Sequence, residues 1–495
     1  MTYFKKAIYG AVIVFVFSII SAFFGYLFRL LLARNLNPGE YGLFYAVLSL
    51  ILFINSFREF GLRQAIIKRI PEFLTRKDDS SIRKSIFIVL FLWILTSLIV
   101  FIAVNLFAKP LALNYFNSSN AILLLFLFTF MFIFNPIDAM FSYVFRGFQK
   151  MGYASSLELI RSLFYVIFTF IGFMFFTGPY VPAFVYAGTP LIITIMFLPI
   201  IKRKLFHNKK MFEINFDPKI IKNLFFFGFP VMLSGMGFLI LHYTDTLLIT
   251  FFLDLESVGQ YQVALPTANL LIYFSTAITA VLLPMVSELW AKNLLGSLKK
   301  GIILAYKYVF IIVIPPAIVM FSYPKIILNL LFGSNYTSAS TVLMILAISS
   351  IFLTISNINF SILSGIGKPK KTAQIMFVAA ISNIILNIIL IPKQGLVGAA
   401  IATAISYLIM GTSSVFFLKK NIDVKIPFFN LSKIFLNGFI FIGIVHLLKR
   451  MIDINVWAEM FLVLSVSSAV YIGLLFLLRI IDLHEIFGYI KTIRK

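Results

Sequence analysis

Fourteen long apolar runs, each followed by a short polar, basic or Pro/Gly-containing segment, occupy most of the chain. They lie near 7–33, 41–60, 85–107, 120–145, 153–176, 180–201, 223–252, 257–289, 302–322, 338–363, 373–391, 395–418, 432–448 and 457–478. A helix crosses a bilayer with about 20 apolar residues, and these runs have that length. A membrane barrel would instead show short strands of alternating polarity. The pattern predicts an all-α integral membrane fold of about fourteen helices, numbered here as spans 1 to 14. The run behind Lys5 and Lys6 is too long for a signal-peptide core and has no small-residue cleavage site after it, so it reads as an uncleaved first span. No connection exceeds about 25 residues, which leaves no room for a soluble catalytic domain.

Composition agrees with the pattern. Of 495 residues, 61% are hydrophobic and 12% charged, about half the charge of an average globular domain. The net charge of +24 would suggest nucleic acid in a soluble protein. Here its distribution explains it. With the N-terminus in the cytoplasm, 35 basic residues fall inside. Seven fall outside: Arg29, Arg34, Lys109, Lys325, Lys393, Lys449 and Arg450. A missed span would invert every later connection, so this asymmetry predicts both termini in the cytoplasm of a multi-pass cell-membrane protein. The charge is then a topology signal, with anionic lipid as its contact and no nucleic acid as partner. Cysteine is absent and histidine occurs four times, which excludes disulfides, thiol catalysis and Cys-ligated zinc. The outer connections carry only scattered acids, Glu40, Asp254, Glu256, Asp453 and Glu459, which argues against a membrane glycosyltransferase or ligase. The doublet Asp78-Asp79 sits in a basic segment and reads as a solvated turn rather than a metal site.

The chain also repeats. Gly42-Leu43-Phe44-Tyr45-Ala46 and Gly259-Gln260-Tyr261-Gln262-Val263 each follow an outer connection and open an inward-running span. Farther on, Gly147-Phe148-Gln149-Lys150 matches Gly365-Ile366-Gly367-Lys368 at nearly the same interval, 105 against 106 residues. The offset sets spans 1–6 against spans 7–12. Six crossings per copy is an even number, so the copies are parallel repeats, an arrangement found in transporters. The chain then divides into an N-lobe (1–210), a C-lobe (211–420) and accessory spans 13–14 with a tail (421–495). Prolines within spans, Pro136 and Pro315 among them, supply kinks.

The sequence resembles the lipid-linked oligosaccharide and polysaccharide flippases of the MOP superfamily, relatives of MATE multidrug exporters and lipid II flippases. The likeness rests on Arg29-Leu30-Leu31-Leu32-Ala33-Arg34 leading into Glu40-Tyr41-Gly42, and on Phe60-Gly61-Leu62-Arg63. It continues in Arg146-Gly147-Phe148-Gln149, in Tyr243-Thr244-Asp245 followed by Val258-Gly259-Gln260-Tyr261, and in Phe332-Gly333 with Tyr336. The resemblance implies two MATE-like lobes, alternating access and export of a polyprenyl-(di)phosphate-linked glycan to the outer leaflet. In sodium-coupled relatives an Asp of span 7, two side chains four apart on span 11 and oxygens of span 12 hold the cation. Asp245, Asn383, Asn387 and Thr403 stand at those positions, with Asn387 where a second carboxylate would strengthen binding.

A charge in hydrocarbon costs at least about 2.5–3.5 kcal/mol, so it should face a cavity or a partner. The candidates for an anionic headgroup are Arg29, Arg58, Arg146 and Arg161, since guanidinium forks match phosphate oxygens. Snorkelling to the nearer interface is the competing role. Glu158 and Arg161, three apart on span 5, are expected to pair, and Asp138 of span 4 could join them. Asp245 and Arg29 occupy near-equivalent repeat positions with opposite charges, a candidate gating pair, with His242 as a protonatable neighbour. The sequence thus predicts a monomeric flippase with no cofactor beyond a coupling Na+ or H+, working beside glycan-assembly enzymes. A cation-coupled drug exporter on the same fold is the alternative. Two unpaired extra spans and the surplus of intramembrane arginine favour the flippase.

Overall fold

The computed structural model describes residues 3–206, 210–422, 428–451, 455–478 and 480. Among them thirteen helices are long and apolar enough to cross a bilayer, and no strand occurs. The longest, Pro369–Ile422, has 54 residues, about 81 Å of helix and far more than one bilayer core. Gly395 interrupts it at φ 58°, ψ −137°, a conformation outside the helical region that glycine reaches without a Cβ clash. Spans 11 and 12 meet at that glycine, and the described residues then hold fourteen spans. The others are Tyr3–Asn35, Pro38–Arg58, Asp79–Leu106, Ala121–Gly147, Met151–Phe175, Tyr180–Leu205, Pro218–Phe252, Leu255–Ala291, Leu295–Ser322, Ser340–Gly365, Phe428–Met451 and Val456–Leu477. Asp453 and the tail from 481 lie outside the described residues, as does Arg479.

The basic segment between spans 2 and 3 is more ordered than its composition suggests. A helix, Leu62–Thr75, buries Leu62, Ala65, Ile66 and Ile70 on one face and leaves Arg63 and Lys68 exposed on the other, the pattern of an amphipathic surface helix. At 14 residues it is too short to cross, so a search for crossings passes over it. Gly61 opens it in the left-handed region at φ 67°. A Cβ on Gly61 would lie 2.0 Å from the carbonyl of Gly228, so two glycines let this turn meet span 7 backbone to backbone. Asp78 accepts from the Ser81 N–H at 3.0 Å and caps span 3. These Ser81 hydrogen bonds hold its carboxyl below the usual range. The doublet is therefore a helix cap. Glu213, in the connection to span 7, accepts from Ser80 at 2.9 Å and pairs with Arg83 at 3.4 Å and Lys84 at 3.6 Å.

By packing, the chain forms two units. The first comprises Met1–Val263, Leu331–Tyr336 and Asn387–Leu396; the second comprises Ala264–Leu330, Thr337–Leu386 and Val397–Lys495. Packing thus groups span 7 and the start of span 8 with spans 1–6, whereas the repeat counts them with the second copy. In the first unit Trp93, Phe141, Phe145 and Phe197 pack spans 3, 4 and 6 together. In the second, Tyr306 donates to Asn359, which donates to Ser414 at 2.9 Å, tying spans 9, 10 and 12. Spans 13 and 14 join this unit through Asn437 to the Tyr471 carbonyl at 3.0 Å and Tyr471 to the Ile311 carbonyl at 3.2 Å.

The repeat is visible as repeated packing. A Cβ on Gly147 would press on Ile70 at 2.9 Å, and one on Gly365 would press on Val286 at 2.8 Å. The partners keep nearly the offset of the glycines. Gly42 and Gly259 pack on each other reciprocally. A Cβ on Gly42 would lie 1.7 Å from the Leu255 carbonyl, and one on Gly259 would lie 2.1 Å from the Pro38 carbonyl. Each glycine meets the carbonyl four residues before the other, a local two-fold between spans 2 and 8.

Candidate functional site

The first unit carries charge at three depths. Arg146 lies one residue from the end of span 4, at the end of the bundle where basic residues gather, and donates to Glu158 of span 5. Arg161 is ten residues into span 5, about 15 Å along it and so near mid-bilayer. Arg29 is six residues from the opposite end of span 1, about 9 Å along the axis. The pairing differs from the one sequence spacing suggests. Glu158 and Arg161 share a helix but turn to different partners. Arg161 Nη2 donates to both oxygens of Asp138 at 2.7 and 2.8 Å, and Asp138 is fully buried. The rotation of span 4 against span 5 decides this, because it faces Asp138 and Arg146 toward span 5 at two levels, one for each charge.

Arg161 is not consumed by its ion pair. One nitrogen serves both carboxylate oxygens, and Nε has no hydrogen-bond partner among the described residues. A quarter of its surface stays exposed although it lies deep among neighbouring helices, so it keeps surface open to a ligand. Arg29 is likewise enclosed but only half-buried. Its guanidinium lies 4.4 Å from the centroid of the Tyr45 ring and donates to Gln262 Oε1 at 3.3 Å. Cation–π contact holds a guanidinium without neutralising it.

Between the two arginines stand tyrosines that sequence reasoning missed. Tyr165 and Tyr186 stack with centroids 4.2 Å apart and planes 4° from parallel. Tyr143 stands near Arg63, which donates to its hydroxyl at 3.5 Å. The sequence did hold one signal: Tyr165 is four residues after Arg161, on the same helical face.

Asp245 is 1% exposed. It accepts from the Tyr261 hydroxyl at 2.6 Å and from Asn387 Nδ2 at 2.7 Å. The neighbouring Gln262 donates to Thr246 at 2.6 Å. Arg29 and Asp245 are thus each bonded to the 261–262 segment, Arg29 at Gln262 and Asp245 at Tyr261. His242 is exposed and stacks on Phe238 at 5.9 Å. For a hard cation, Asp245 supplies an anionic oxygen ligand, but the amide of Asn387 is turned with its donor toward the carboxylate. That hydrogen bond fills the place a cation would take between two oxygens. In the second unit Asn383 approaches Thr403 at 3.5 Å.

Arg58 has a different role. It is 4% exposed and donates to Asn55 Oδ1 at 2.9 and 2.7 Å, to the Trp93 carbonyl at 3.0 Å and to Ser97 at 2.6 Å. Every bond joins span 2 to itself or to span 3, so the guanidinium rivets these helices and has little left for a ligand. Arg58→Met removes charge-assisted bonds and leaves buried acceptors unpaired, which should cost about 2 kcal/mol or more. A lower melting temperature with unchanged headgroup affinity checks this.

Fourteen long apolar helices define a multi-span membrane protein, and comparison with solved structures gives its fold. A lipid II flippase (MurJ, inward closed conformation) matches with a TM-score of 0.74 at 20% identity, over 93% of this chain and 97% of that one. An inward-facing MATE multidrug transporter of the MOP superfamily matches with a TM-score of 0.66 at 14% identity, over 83% of this chain and 98% of that one. The polysaccharide biosynthesis protein family matches residues 8–290, and MatE matches residues 230–389. The chain belongs to the polysaccharide biosynthesis protein family. Uncharacterized membrane protein MJ1068 of Methanocaldococcus jannaschii is 35% identical over the whole of both chains. The probable low-salt glycan biosynthesis flippase Agl15 of Haloferax volcanii is 24% identical over 89% of each.

Proposed function

We propose that the protein is a flippase that moves a polyprenyl-(di)phosphate-linked oligosaccharide from the cytoplasmic to the outer leaflet of the cell membrane. It does so by alternating access and without covalent chemistry. The observation that carries this reading is Arg161, enclosed at mid-bilayer, anchored through one nitrogen and still partly exposed. Its guanidinium, with nitrogens beyond the one that holds Asp138, suits a phosphate better than a cationic cargo. Arg146 and Arg29 supply steps at either side of it, and the basic asymmetry supports both termini in the cytoplasm. The likeness to Agl15 and to a lipid II flippase supports a glycan-bearing lipid as cargo. The partners are then that lipid, the surrounding membrane lipids and the enzymes that assemble the glycan, with the chain acting as a monomer.

Asp245 is the coupling carboxylate in this reading. Protonation neutralises it during the cycle, or Na+ does so by displacing the Asn387 amide. Thermal stability titrated with Na+ against K+ tests the ion, and identical curves would exclude it. The flippase itself is tested by reconstituting the protein with a labelled polyprenyl-diphosphate oligosaccharide and following its accessibility in each leaflet. Transfer dependent on the protein is expected. No transfer, together with efflux of amphipathic drugs, would establish the exporter instead.

A further inference from the structure

The interior holds a second recognition element beside its arginines. Tyr165 and Tyr186 form a nearly parallel stack in the middle of a membrane bundle. Tyr186 is fixed from behind by Phe44 at 5.8 Å, and Phe28 touches both rings at 6.0 and 5.6 Å. Both tyrosines are only half-buried, so the stack, close to Arg161, also keeps surface open to a ligand. Neither phenol oxygen has a hydrogen bond to the described residues, and neither is among the sealed, unpaired polar atoms. A buried tyrosine normally finds a partner for its hydroxyl. Two that do not, on open surface, are placed for a hydroxylated ligand.

The spacing narrows the ligand. Arg161 and Tyr165 are one helical turn apart on one face, about 6 Å along the axis. That is the reach from a phosphate to the ring of a sugar esterified to it. A pyranose has a C–H face that lies on an aromatic ring and a rim of hydroxyls that bond to phenols. An aromatic cation would gain from the tyrosines but would be repelled by the guanidiniums at both sides of the stack. We infer that the Tyr165–Tyr186 stack is a saccharide platform, which takes the first sugar of the lipid-linked glycan while Arg161 takes its phosphate.

This inference rests on the proposed flippase function, and the test separates the two. Purified full-length protein in nanodiscs is titrated with short-chain polyprenyl diphosphate, bare or carrying one hexosamine. The wild type should bind the sugar-bearing lipid about tenfold more tightly, the weight of one good aromatic contact. Tyr165→Leu and Tyr186→Leu should lose that preference while binding the bare diphosphate as the wild type does, which also reports that they fold. Tyr165→Phe, which keeps the ring, should retain most of it. A wild type without preference, or a preference that survives both leucine variants, overturns the platform. Failure of the bare diphosphate to bind the wild type would overturn the flippase reading itself.

Discussion

Arg161→Gln is expected to reduce translocation of the lipid-linked glycan more than tenfold, the largest loss from any single side chain in the cavity. The variant leaves Asp138, fully buried, without its cation. Breaking a buried pair costs about 3–5 kcal/mol, and the low end applies because a quarter of the Arg161 side chain is exposed. Lost transport could therefore reflect lost folding. The double variant Asp138→Asn with Arg161→Gln removes this ambiguity, since it leaves no charge buried and unpaired. It should recover most of the thermal stability and none of the transport. If transport returns with stability, Arg161 serves only to hold spans 4 and 5 together. Asp138→Asn alone frees the guanidinium, so it should bind a diphosphate headgroup more tightly and release it more slowly.

How much of this was legible before any coordinates depends on whether a feature is set along the chain or across it. Crossings follow from runs of apolar residues, and all fourteen occur. The repeat follows from glycines at matched intervals, and the structure gives the reason: Gly42 and Gly259 are where two helix backbones touch. Asp245 and Asn387 were assigned to one site, and they bond at 2.7 Å. Partners across helices were harder to see. Spacing on span 5 favours Glu158 with Arg161, but the rotation of span 4 gives each a different mate. Arg58 carries the same sequence signature as Arg161, an arginine inside an apolar run. Only the Trp93 carbonyl and Ser97, brought alongside by packing, show that Arg58 is fully engaged, whereas Arg161 is held through one nitrogen. The tyrosine stack joins residues 21 positions apart on antiparallel spans, and no periodicity marks such a pair. The helix Leu62–Thr75 was missed because basic residues set the average of its segment, while its buried face is only four residues wide.

Gly259→Val should uncouple span 8 from span 2 and stop the cycle. At Gly259 an added Cβ would come within 2.1 Å of the Pro38 carbonyl, and at Gly42 within 1.7 Å of that of Leu255. A carbon approaches a carbonyl oxygen no closer than about 3.3 Å, so the helices must part by more than an ångström. Backbone contact of this kind rests on weak Cα–H···O attraction and little interdigitation, so in the proposed cycle it acts as a seal that breaks and reforms. In the proposed orientation it lies on the outer side. Because the chain has no cysteine, one reporter suffices: Val258→Cys, at a residue that is fully buried in the closed contact. A membrane-impermeant maleimide added outside should leave it unlabelled in the otherwise native protein and label it rapidly once Gly259→Val is added. Gly42→Ala should give the same labelling from the other partner, with less disturbance to folding. Gly152→Ala is the control, since its Cβ would meet nothing within 4 Å, and it should leave both labelling and transport unchanged. Normal transport in the valine variant would mean that the glycine pair only packs two helices and that the cavity is closed elsewhere.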